Sequence, residues 1–362
     1  MKHHASCRLG TITKTLTTIA LALSLGIGCG TAVEPDSSKG ASSQYSAALK
    51  ASETAQIDEP GIPPAAQGNP LKGAELFVDP ESLAMLRANA LRDEHPEQAA
   101  VLDRIAKEPM ALWMGNWNSN IFRAVEHFVT RATDAGAVPV MVAYNIPHRD
   151  CGQHSKGGLK TASAYRRWIR QIRDAISERP AVVVLEPDAL GHFQECLSEE
   201  QKAERMFLLK DAVMALRSNP ATAVYLDAGH ARWVPAEEMS ERLEMAGIEY
   251  AHGFALNVSN YVSSEENRVY GHALSERVGG KPYVIDTSRN GAGPYEQAQT
   301  PEESWCNPPG RKIGQSPTTS TEDELCHAYL WLKRPGESDG ACGGGPVAGA
   351  FWLERALQMA SL

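Results

Sequence analysis

Carboxylate side chains recur in this sequence a few residues after short apolar runs. The acids in these positions are Asp150, Asp188, Asp227, Asp286 and Asp339. Several carboxyl groups at one site suit the hydrolysis of a glycosidic bond, because one protonated acid serves the leaving oxygen while one carboxylate serves water or the anomeric carbon. The sequence therefore indicates acid–base chemistry on a sugar bond in a carboxylate-lined cleft.

Motifs for phosphate and zinc chemistry are missing from the sequence. It has no Walker loop and no His-Glu-x-x-His, and we interpret Gly343-Gly344-Gly345 as a flexible loop because no Lys-Ser/Thr follows it. A metal site built from Asp150, Asp227 and His230 is the less favoured alternative, since a lone His in Asp-Ala-Gly-His is more often a hydrogen-bonded cleft residue. We therefore expect no metal and no cofactor, and we place His230 in the substrate cleft.

Aromatic residues support a sugar substrate. Of the seven tryptophans, those near predicted strand ends could stack against sugar faces, and they are Trp113, Trp117, Trp233 and Trp305. The tryptophans inside periodic segments are predicted to pack in the core, and they are Trp168, Trp331 and Trp352.

The elements that must position these side chains alternate in type along the chain. Continuous apolar runs predict strands buried on both faces at 138–142, 181–185, 223–226, 253–258, 283–285 and 328–332. Amphipathic stretches predict helices at 162–177, 199–217 and 236–246. This α/β pattern predicts a single parallel βα barrel, in which functional residues gather on the loops after the carboxyl ends of the strands.

The amino-terminal region has a different composition. Three basic residues and an apolar stretch from Leu16 to Ile27 precede Gly28-Cys29, so residues 1–28 are predicted to be an export signal, with Cys29 the acylated first residue of a lipoprotein. Ordinary cleavage near Ala32 is the alternative. Residues 29–72 are rich in Ser, Ala, Pro and Gly and predict a flexible tether, and 73–362 is predicted to be the catalytic domain.

The net charge and the predicted export limit the kinds of partner that this protein can have. The net charge of the 362 residues is −9 with no sustained run of Lys and Arg, so we expect no nucleic-acid partner. The protein is expected at the cell surface or as an outer-membrane lipoprotein, or otherwise secreted. We expect a monomer that meets a membrane only through a lipid on Cys29.

The strand-end motifs together resemble glycoside hydrolase family 6, most of all its bacterial endo-β-1,4-glucanases. They are Tyr-Asn-Ile-Pro-His-Arg-Asp-Cys-Gly (144–152), Glu-Pro-Asp-Ala-Leu (186–190), Tyr-Leu-Asp-Ala-Gly-His (225–230), Asn-Val-Ser-Asn-Tyr (257–261), Asp-Thr-Ser-Arg-Asn-Gly (286–291), Trp-Cys-Asn-Pro-Pro-Gly-Arg (305–311) and Lys-Arg-Pro-Gly-Glu-Ser-Asp-Gly (333–340). The similarity runs from about Asn69 to the C-terminus. It implies a distorted parallel βα barrel with fewer than eight strands, and hydrolysis of β-1,4-glucan with inversion at the anomeric carbon.

The resemblance also implies roles for single residues. Asp188 matches the general acid, and Asp150 matches the carboxylate that raises its pKa and takes part in the water chain. Asp339 matches the proposed base, which acts through one or more waters. The remaining matches are Tyr144 (sugar distortion), Ser155 (a mobile loop that positions water), Asp227 (substrate binding and charge setting), Trp113, Trp233 and Trp305 (sugar platforms), Lys333 and Glu337 (sugar hydroxyls), Asn257 (substrate site), and Asp286 and Arg289 (support of the site).

The family pattern implies two disulfide bonds, Cys151 with Cys196 and Cys306 with Cys342, which would brace the acid-bearing loops. Two residues depart from the pattern: Cys326 has no evident partner, and His327 stands where the family usually has Asp. His327 precedes a predicted strand, so we expect it away from the cleft.

Loop length predicts the mode of cleavage. Only 341–346 separate the last motif from the closing helix, whereas processive family members carry a long insertion there. An open cleft and cleavage of internal bonds follow. Two alternatives stay open: a surface glucan-binding protein of the same fold with impaired catalysis, and an enzyme acting mainly on mixed-linkage β-glucan.

Overall fold

The computed structural model describes Ile62, Ala65 and residues 68–361. The predicted signal, Cys29 and nearly all of the predicted tether lie outside the described residues. None of the helices in the described part is both long enough and apolar enough to cross a membrane.

The centre of the molecule is one sheet of seven parallel strands, which neighbour each other in chain order. The strands are β1 (Leu112–Met114), β2 (Val140–Ala143), β3 (Ala181–Leu185), β4 (Thr222–Asp227), β5 (Gly253–Leu256), β6 (Tyr283–Asp286) and β7 (Cys326–Leu330). The described α-helices are α1 (Leu83–Leu91), α2 (Pro96–Ala106), α3 (Ile121–Asp134), α4 (Ala162–Ile176), α5 (Glu199–Arg217), α6 (Ala236–Met245), α7 (Ser264–Arg277), α8 (Pro301–Trp305) and α9 (Leu353–Ala360).

The sheet curls until its two edge strands meet at one end. An isolated parallel bridge pairs Met110 with Trp331, where the N–H of Ala111 donates to the Trp331 carbonyl at 3.0 Å. Strands β1 and β7 themselves are not paired in the sheet, and the Trp113 indole N–H donates to the Leu332 carbonyl at 2.7 Å. The predicted distorted barrel with fewer than eight strands is confirmed.

Strand side chains divide between two cores because successive residues of a strand point to opposite faces. On β3, Val183 and Leu185 pack outward against the helices, whereas Val182 and Val184 fill the barrel interior. Both faces of the sheet are therefore buried, which is why the strands are apolar without alternation.

The helices begin at polar caps and bury one face. Thr161 caps α4 by accepting the Ala164 N–H at 3.2 Å, and Ser198 caps α5 with a capping box that includes Gln201. Helix α4 buries Trp168 against the sheet, as its period predicts.

Predicted and observed strands differ in their bounds, and strands β1, β5 and β7 show why. Strand β1 has three residues and two of them are only half-buried, so its apolar run was too short to be predicted. Strand β5 ends at Leu256 instead of residue 258, because Asn257 and Ser259 have positive φ angles of 66° and 59° that turn the chain. Strand β7 begins earlier than predicted, at Cys326.

His327 and Cys326 lie at the start of β7, at the opposite end of the strand from the cleft. Both are buried, and Cys326 is a free thiol. The Tyr225 hydroxyl bonds His327 Nδ1 at 2.9 Å, and burial lowers the pKa of His327 to about 4, so this imidazole is neutral. The place of His327 away from the cleft agrees with the expectation.

Candidate active site

A cleft of about 420 Å³ crosses the carboxyl ends of the strands. The structure brings most of the predicted site residues together in its lining, namely Trp113, Tyr144, Asp150, Ser155, Asp188, His230, Trp233, Trp305, Lys333 and Asp339. Trp113 belongs to strand β1, and the others come from the loops after β2, β3, β4, β6 and β7, so the parallel sheet is what assembles them.

The loop after β3 presents Asp188 through an unusual backbone. Glu186 and Asp188 have φ angles of 51° and 70°, which are unfavourable for residues with a Cβ. The buried Glu186 carboxylate stabilises this turn by accepting the backbone N–H groups of Asn145 at 2.9 Å and Ile146 at 3.0 Å. The loops after β2 and β3 are therefore joined under the cleft.

Asp188 lies in a poorly hydrated position. Burial raises the pKa of its carboxyl group, while the nearby His192 and a hydrogen bond from the Tyr144 hydroxyl, 3.1 Å from Oδ2, act in the opposite direction. The resemblance implied that the charge of Asp150 raises this pKa, whereas burial is the largest cause in the structure. A raised pKa favours the protonated form that a general acid needs.

Asp150 faces the same part of the cleft. Burial and then the charge of Asp188 raise its pKa to about 6, and the N–H of Ser155 donates to Oδ2 at 2.6 Å. Asp150 itself has a positive φ of 59°. Because its pKa is raised by Asp188, each of the two carboxylates disfavours the charge of the other.

Asp227 lies deeper than the residues that line the cleft, and its role in binding sugar stays a prediction. It is buried behind Asp188, and its Oδ2 accepts the N–H of Asp188 at 3.0 Å and that of Gly229 at 3.2 Å. Burial and the charge of Asp188 raise the pKa of Asp227 well above its ordinary value. Its place fits charge setting and support of the acid, and its carboxylate does not line the cleft.

Asp339, unlike Asp188, lies beside two cationic side chains. Arg289 Nη1 contacts both carboxylate oxygens at 2.8 and 2.9 Å, and Lys333 Nζ is 3.5 Å from Oδ1. The Tyr261 hydroxyl and the Asn307 N–H donate to Oδ2 at 3.0 and 3.1 Å. Burial acts to raise the pKa of Asp339, but the charges of Arg289 and Lys333 hold it below its ordinary value, so this carboxylate is ionised.

The aromatic rings of the cleft are held in place by close packing. Gly191 lies under the Trp233 ring, and a Cβ on this glycine would come within 2.3 Å of ring atoms. His192 packs edge-on against the same ring with centroids 4.8 Å apart. Trp113 is likewise fixed edge-on against Tyr144 at 5.3 Å. Rings held this rigidly lose little entropy when a sugar stacks on them.

Asn257 and Glu337, which are also predicted at the substrate site, do not line the cleft. Asn257 is fully buried, because its Nδ2 donates to the Asp286 carbonyl at 2.9 Å and its Oδ1 accepts the Val262 N–H at 3.1 Å. Glu337 is buried and ion-paired with Arg334 Nε at 2.9 Å, outside the cleft lining. Both residues belong to strand-end motifs, but their side chains stabilise the loops.

Both predicted disulfide bonds are present. Cys151 pairs with Cys196 with a Cα–Cα distance of 5.6 Å, and Cys306 pairs with Cys342 at 6.1 Å. The first joins the Asp150 loop to the loop after Asp188, and the second lies beside Asp339. Asp286 supports the site as predicted, since Oδ2 accepts the N–H groups of Ser259 and Lys333 at 3.0 and 2.9 Å.

Sequence reasoning missed His192 and Arg205. His192 Nδ1 is 2.7 Å from Glu195 Oε2, and its Nε2 is 3.8 Å from Asp150 Oδ1. The buried Arg205 of α5 donates to the carbonyls of Ala189, Pro147 and His148, and so ties the two acid loops together. Its signal was available, because Arg205 shares the helical spacing of the buried residues Leu209, Ala212 and Leu216.

The segment 336–340 also matches the Gly-x-Ser-x-Gly pattern of serine hydrolases. Ser338 is fully buried, and its hydroxyl lies 3.0 Å from the Gly340 carbonyl and 2.8 Å from the Pro346 carbonyl. A serine bonded in this way is not an exposed nucleophile. The carboxylates remain the reactive groups of the cleft.

Comparison with known proteins agrees with this geometry. The family model for glycosyl hydrolases family 6 matches residues 71–361. Endoglucanase A of Cellulomonas fimi is 45% identical over 263 residues, which are 72% of this chain and 56% of that protein, so the chain spans little more than half of this relative. Endoglucanase 1 of Streptomyces halstedii is 42% identical over 307 residues, which are 82% of this chain and 92% of that protein.

A solved structure is similar over the same region. The endoglucanase Cel6 of Mycobacterium tuberculosis, in complex with a methyl cellobiosyl thio-cellobioside, superposes with a TM-score of 0.76 at 45% identity and covers 81% of this chain and 98% of that one. The predicted family and the predicted glycoside hydrolase class are thereby confirmed. The chain belongs to the glycosyl hydrolases family 6.

Proposed function

We propose that this protein is an inverting endo-β-1,4-glucanase that hydrolyses internal bonds of cellulose or related β-glucans. The observation that carries the proposal is the opposite electrostatics of two carboxyl groups in one aromatic-lined cleft. The pKa of Asp188 is raised and that of Asp339 is lowered. An acid and a base with separated pKa values are what inverting hydrolysis requires.

Asp188 is the general acid in this proposal. Its proton passes to the glycosidic oxygen as the bond between that oxygen and the anomeric carbon breaks. The Tyr144 hydroxyl then stabilises the carboxylate that remains, since it donates to Oδ2. The backbone N–H of Asp188, bonded to Asp227, keeps the loop in place during the transfer.

Asp339 is the proposed base. The attacking water forms its bond to the anomeric carbon from the opposite face, and its proton leaves toward Asp339. Arg289, Tyr261 and Asn307 already occupy the carboxylate oxygens of Asp339. The proton therefore travels through a second water instead of passing directly, and Asp150 and the Ser155 loop border the path.

The cleft supports binding of a polymer. Trp113, Trp233 and Trp305 offer sugar platforms, and Lys333 and His230 supply polar groups. The short segment 341–346 folds back on itself, with the Gly345 N–H donating to the Cys342 carbonyl at 2.8 Å. A segment closed in this way does not roof the cleft, which favours internal cleavage, as do the endoglucanase names of the relatives.

We also propose that the protein is exported as a monomer and anchored by a lipid on Cys29. The two disulfide bonds support export, because such bonds persist in oxidising compartments. Metabolic labelling with palmitate should mark the wild type and leave Cys29→Ala unlabelled. Equal labelling of the wild type and the variant, or no labelling of either, contradicts a lipid anchor on Cys29.

The activity is tested on carboxymethylcellulose with wild type, Asp188→Ala and the exposed control Asp134→Ala. Wild type and control should lower viscosity early, while few reducing ends have formed. Asp188→Ala should lose about 10²- to 10⁴-fold in polymer cleavage, the usual contribution of a general acid. Reducing sugar without an early fall in viscosity contradicts internal cleavage, and an active Asp188→Ala contradicts the acid.

Inversion has its own test. Proton NMR of the first product formed by the wild type should show the α anomer before mutarotation. A β anomer at the start means retention, and it would remove Asp339 as a base that activates water.

A further inference from the structure

Of the four tryptophans predicted near strand ends, Trp117 is the one that has no role in the proposed mechanism. It follows β1 and is 53% exposed, and it is the one tryptophan among the large exposed apolar side chains of the described residues. A single exposed apolar residue needs no explanation by itself. Trp117 differs because its ring is fixed in place and contacts Arg149, which also contacts the cleft residue Tyr144.

Gly115 fixes the ring from one side. A Cβ at this position would come within 2.3 Å of Trp117 ring atoms, so only glycine allows the indole to lie against the main chain. Asn118 tightens the same turn, since its Oδ1 accepts the Gly115 N–H at 2.9 Å and its N–H donates to the Gly115 carbonyl at 3.1 Å. The turn therefore holds an aromatic surface in a set orientation.

Arg149 connects this ring to the cleft. Its buried guanidinium lies 5.4 Å from the Trp117 ring centre and 4.5 Å from the Tyr144 ring centre. It is immobilised by the carbonyls of Tyr144 at 2.6 Å and Ser155 at 2.8 Å. Because Tyr144 in turn contacts Trp113, a chain of contacts runs from Trp113 in the cleft through Tyr144 and the Arg149 guanidinium to Trp117.

We propose that Trp117 is an additional glucose platform, on which a glucan chain stacks outside the cleft once it has passed over Trp113. The inference rests on the proposed function and extends its substrate site. Sugar C–H groups pack against the face of an indole, and a ring that is already ordered loses little entropy when they do. The platform would strengthen binding of long chains and leave short ones unaffected.

The test compares chain lengths in Trp117→Ala, Trp117→Phe and the control Leu86→Ala, an exposed side chain on α1. On cellohexaose and on carboxymethylcellulose, Trp117→Ala should raise KM about 3- to 10-fold, the range expected for one lost stacking contact, with kcat little changed. On cellotetraose, which the cleft platforms can hold alone, the variant should match the wild type. Trp117→Phe should recover most of the loss, and Leu86→Ala should behave as wild type throughout.

Two results would overturn the proposal that Trp117 is a glucose platform. An equal loss on tetraose and hexaose means that Trp117 acts through Arg149 and Tyr144, and no loss on either means that no sugar reaches the ring. Binding of cellohexaose to Asp188→Ala, with and without Trp117→Ala, repeats the comparison without turnover. If the wild type cleaves no glucan, the proposed function fails, while this binding comparison still decides the platform.

Discussion

The two acids of the cleft are the same residue type in different surroundings. Asp188 lies near the carboxyl groups of Asp150 and Asp227. Its carboxylate accepts a hydrogen bond from the Tyr144 hydroxyl. Asp339 is paired with Arg289 and lies near Lys333. Burial is common to both regions, and the pKa is raised in the first and lowered in the second.

Burial alone therefore does not determine whether a carboxyl group acts as an acid or as a base. Desolvation favours the neutral form of any carboxyl group, and a nearby cation reverses this effect. Helices and strands bring the acids to one edge of the sheet, but Arg289 and Lys333 decide which acid carries charge. The division into acid and base should therefore change when the cation is removed.

The largest effect is expected from Arg289→Met. Removing one partner of a buried ion pair leaves Asp339 buried without compensation, which typically costs about 3–5 kcal/mol of unfolding free energy. Urea denaturation at neutral pH measures the loss. Arg92→Met is the matched control, because its pair with Asp103 is exposed and should contribute no more than about 1 kcal/mol. Similar losses in both variants would contradict the account of the Asp339 region.

An intermediate effect of opposite sign is expected from Asp150→Asn. The folded-state pKa of Asp150, about 6, lies above its ordinary value of 3.8, so wild-type stability falls as pH rises between these values. The substitution should therefore stabilise the protein by about 1 to 3 kcal/mol above pH 6.

The gain from Asp150→Asn should vanish near pH 3, below both pKa values, where the carboxyl group is protonated in the folded and in the unfolded state. Urea melts at pH 3 and pH 7.5 provide the comparison. A variant that is less stable than the wild type at pH 7.5 would mean that the ionised carboxylate stabilises this region.

The smallest effect concerns Tyr144→Phe. The hydroxyl favours the ionised form of Asp188, so its loss should raise the pKa of Asp188 further. The falling alkaline limb of kcat/KM, which reports the protonated acid, should move to higher pH by up to about one unit, as expected for one hydrogen bond. A move to lower pH would contradict this orientation of the bond.

The sequence predicted those parts of the fold that depend on interactions between residues close together in the chain. Strands buried on both faces are apolar runs, and helices such as α4 carry a clear period, so both could be recognised. Strand β1 could not, since its three residues leave no pattern. The bridge between Met110 and Trp331 depends on the curl of the whole sheet, and no local signal encodes it.

The sequence predicted which residues follow the strand ends better than it predicted which way their side chains point. Asp188, Asp150 and Asp339 meet in the cleft because strand ends share one edge of the sheet. Asn257 and Glu337 follow strands in the same way, yet their side chains turn into the protein. A positive φ such as that of Asn257 re-aims a side chain, and a motif does not show it.

In the proposed mechanism Asp188 is the neutral acid and Asp339 is the ionised base. Carboxyl ¹³C NMR across a pH titration measures both groups directly, with Asp188→Asn and Asp339→Asn assigning their signals. We expect Asp188 to titrate above its ordinary pKa of 3.8 and Asp339 to titrate below that value. An Asp339 signal that titrates at higher pH than that of Asp188 would contradict it.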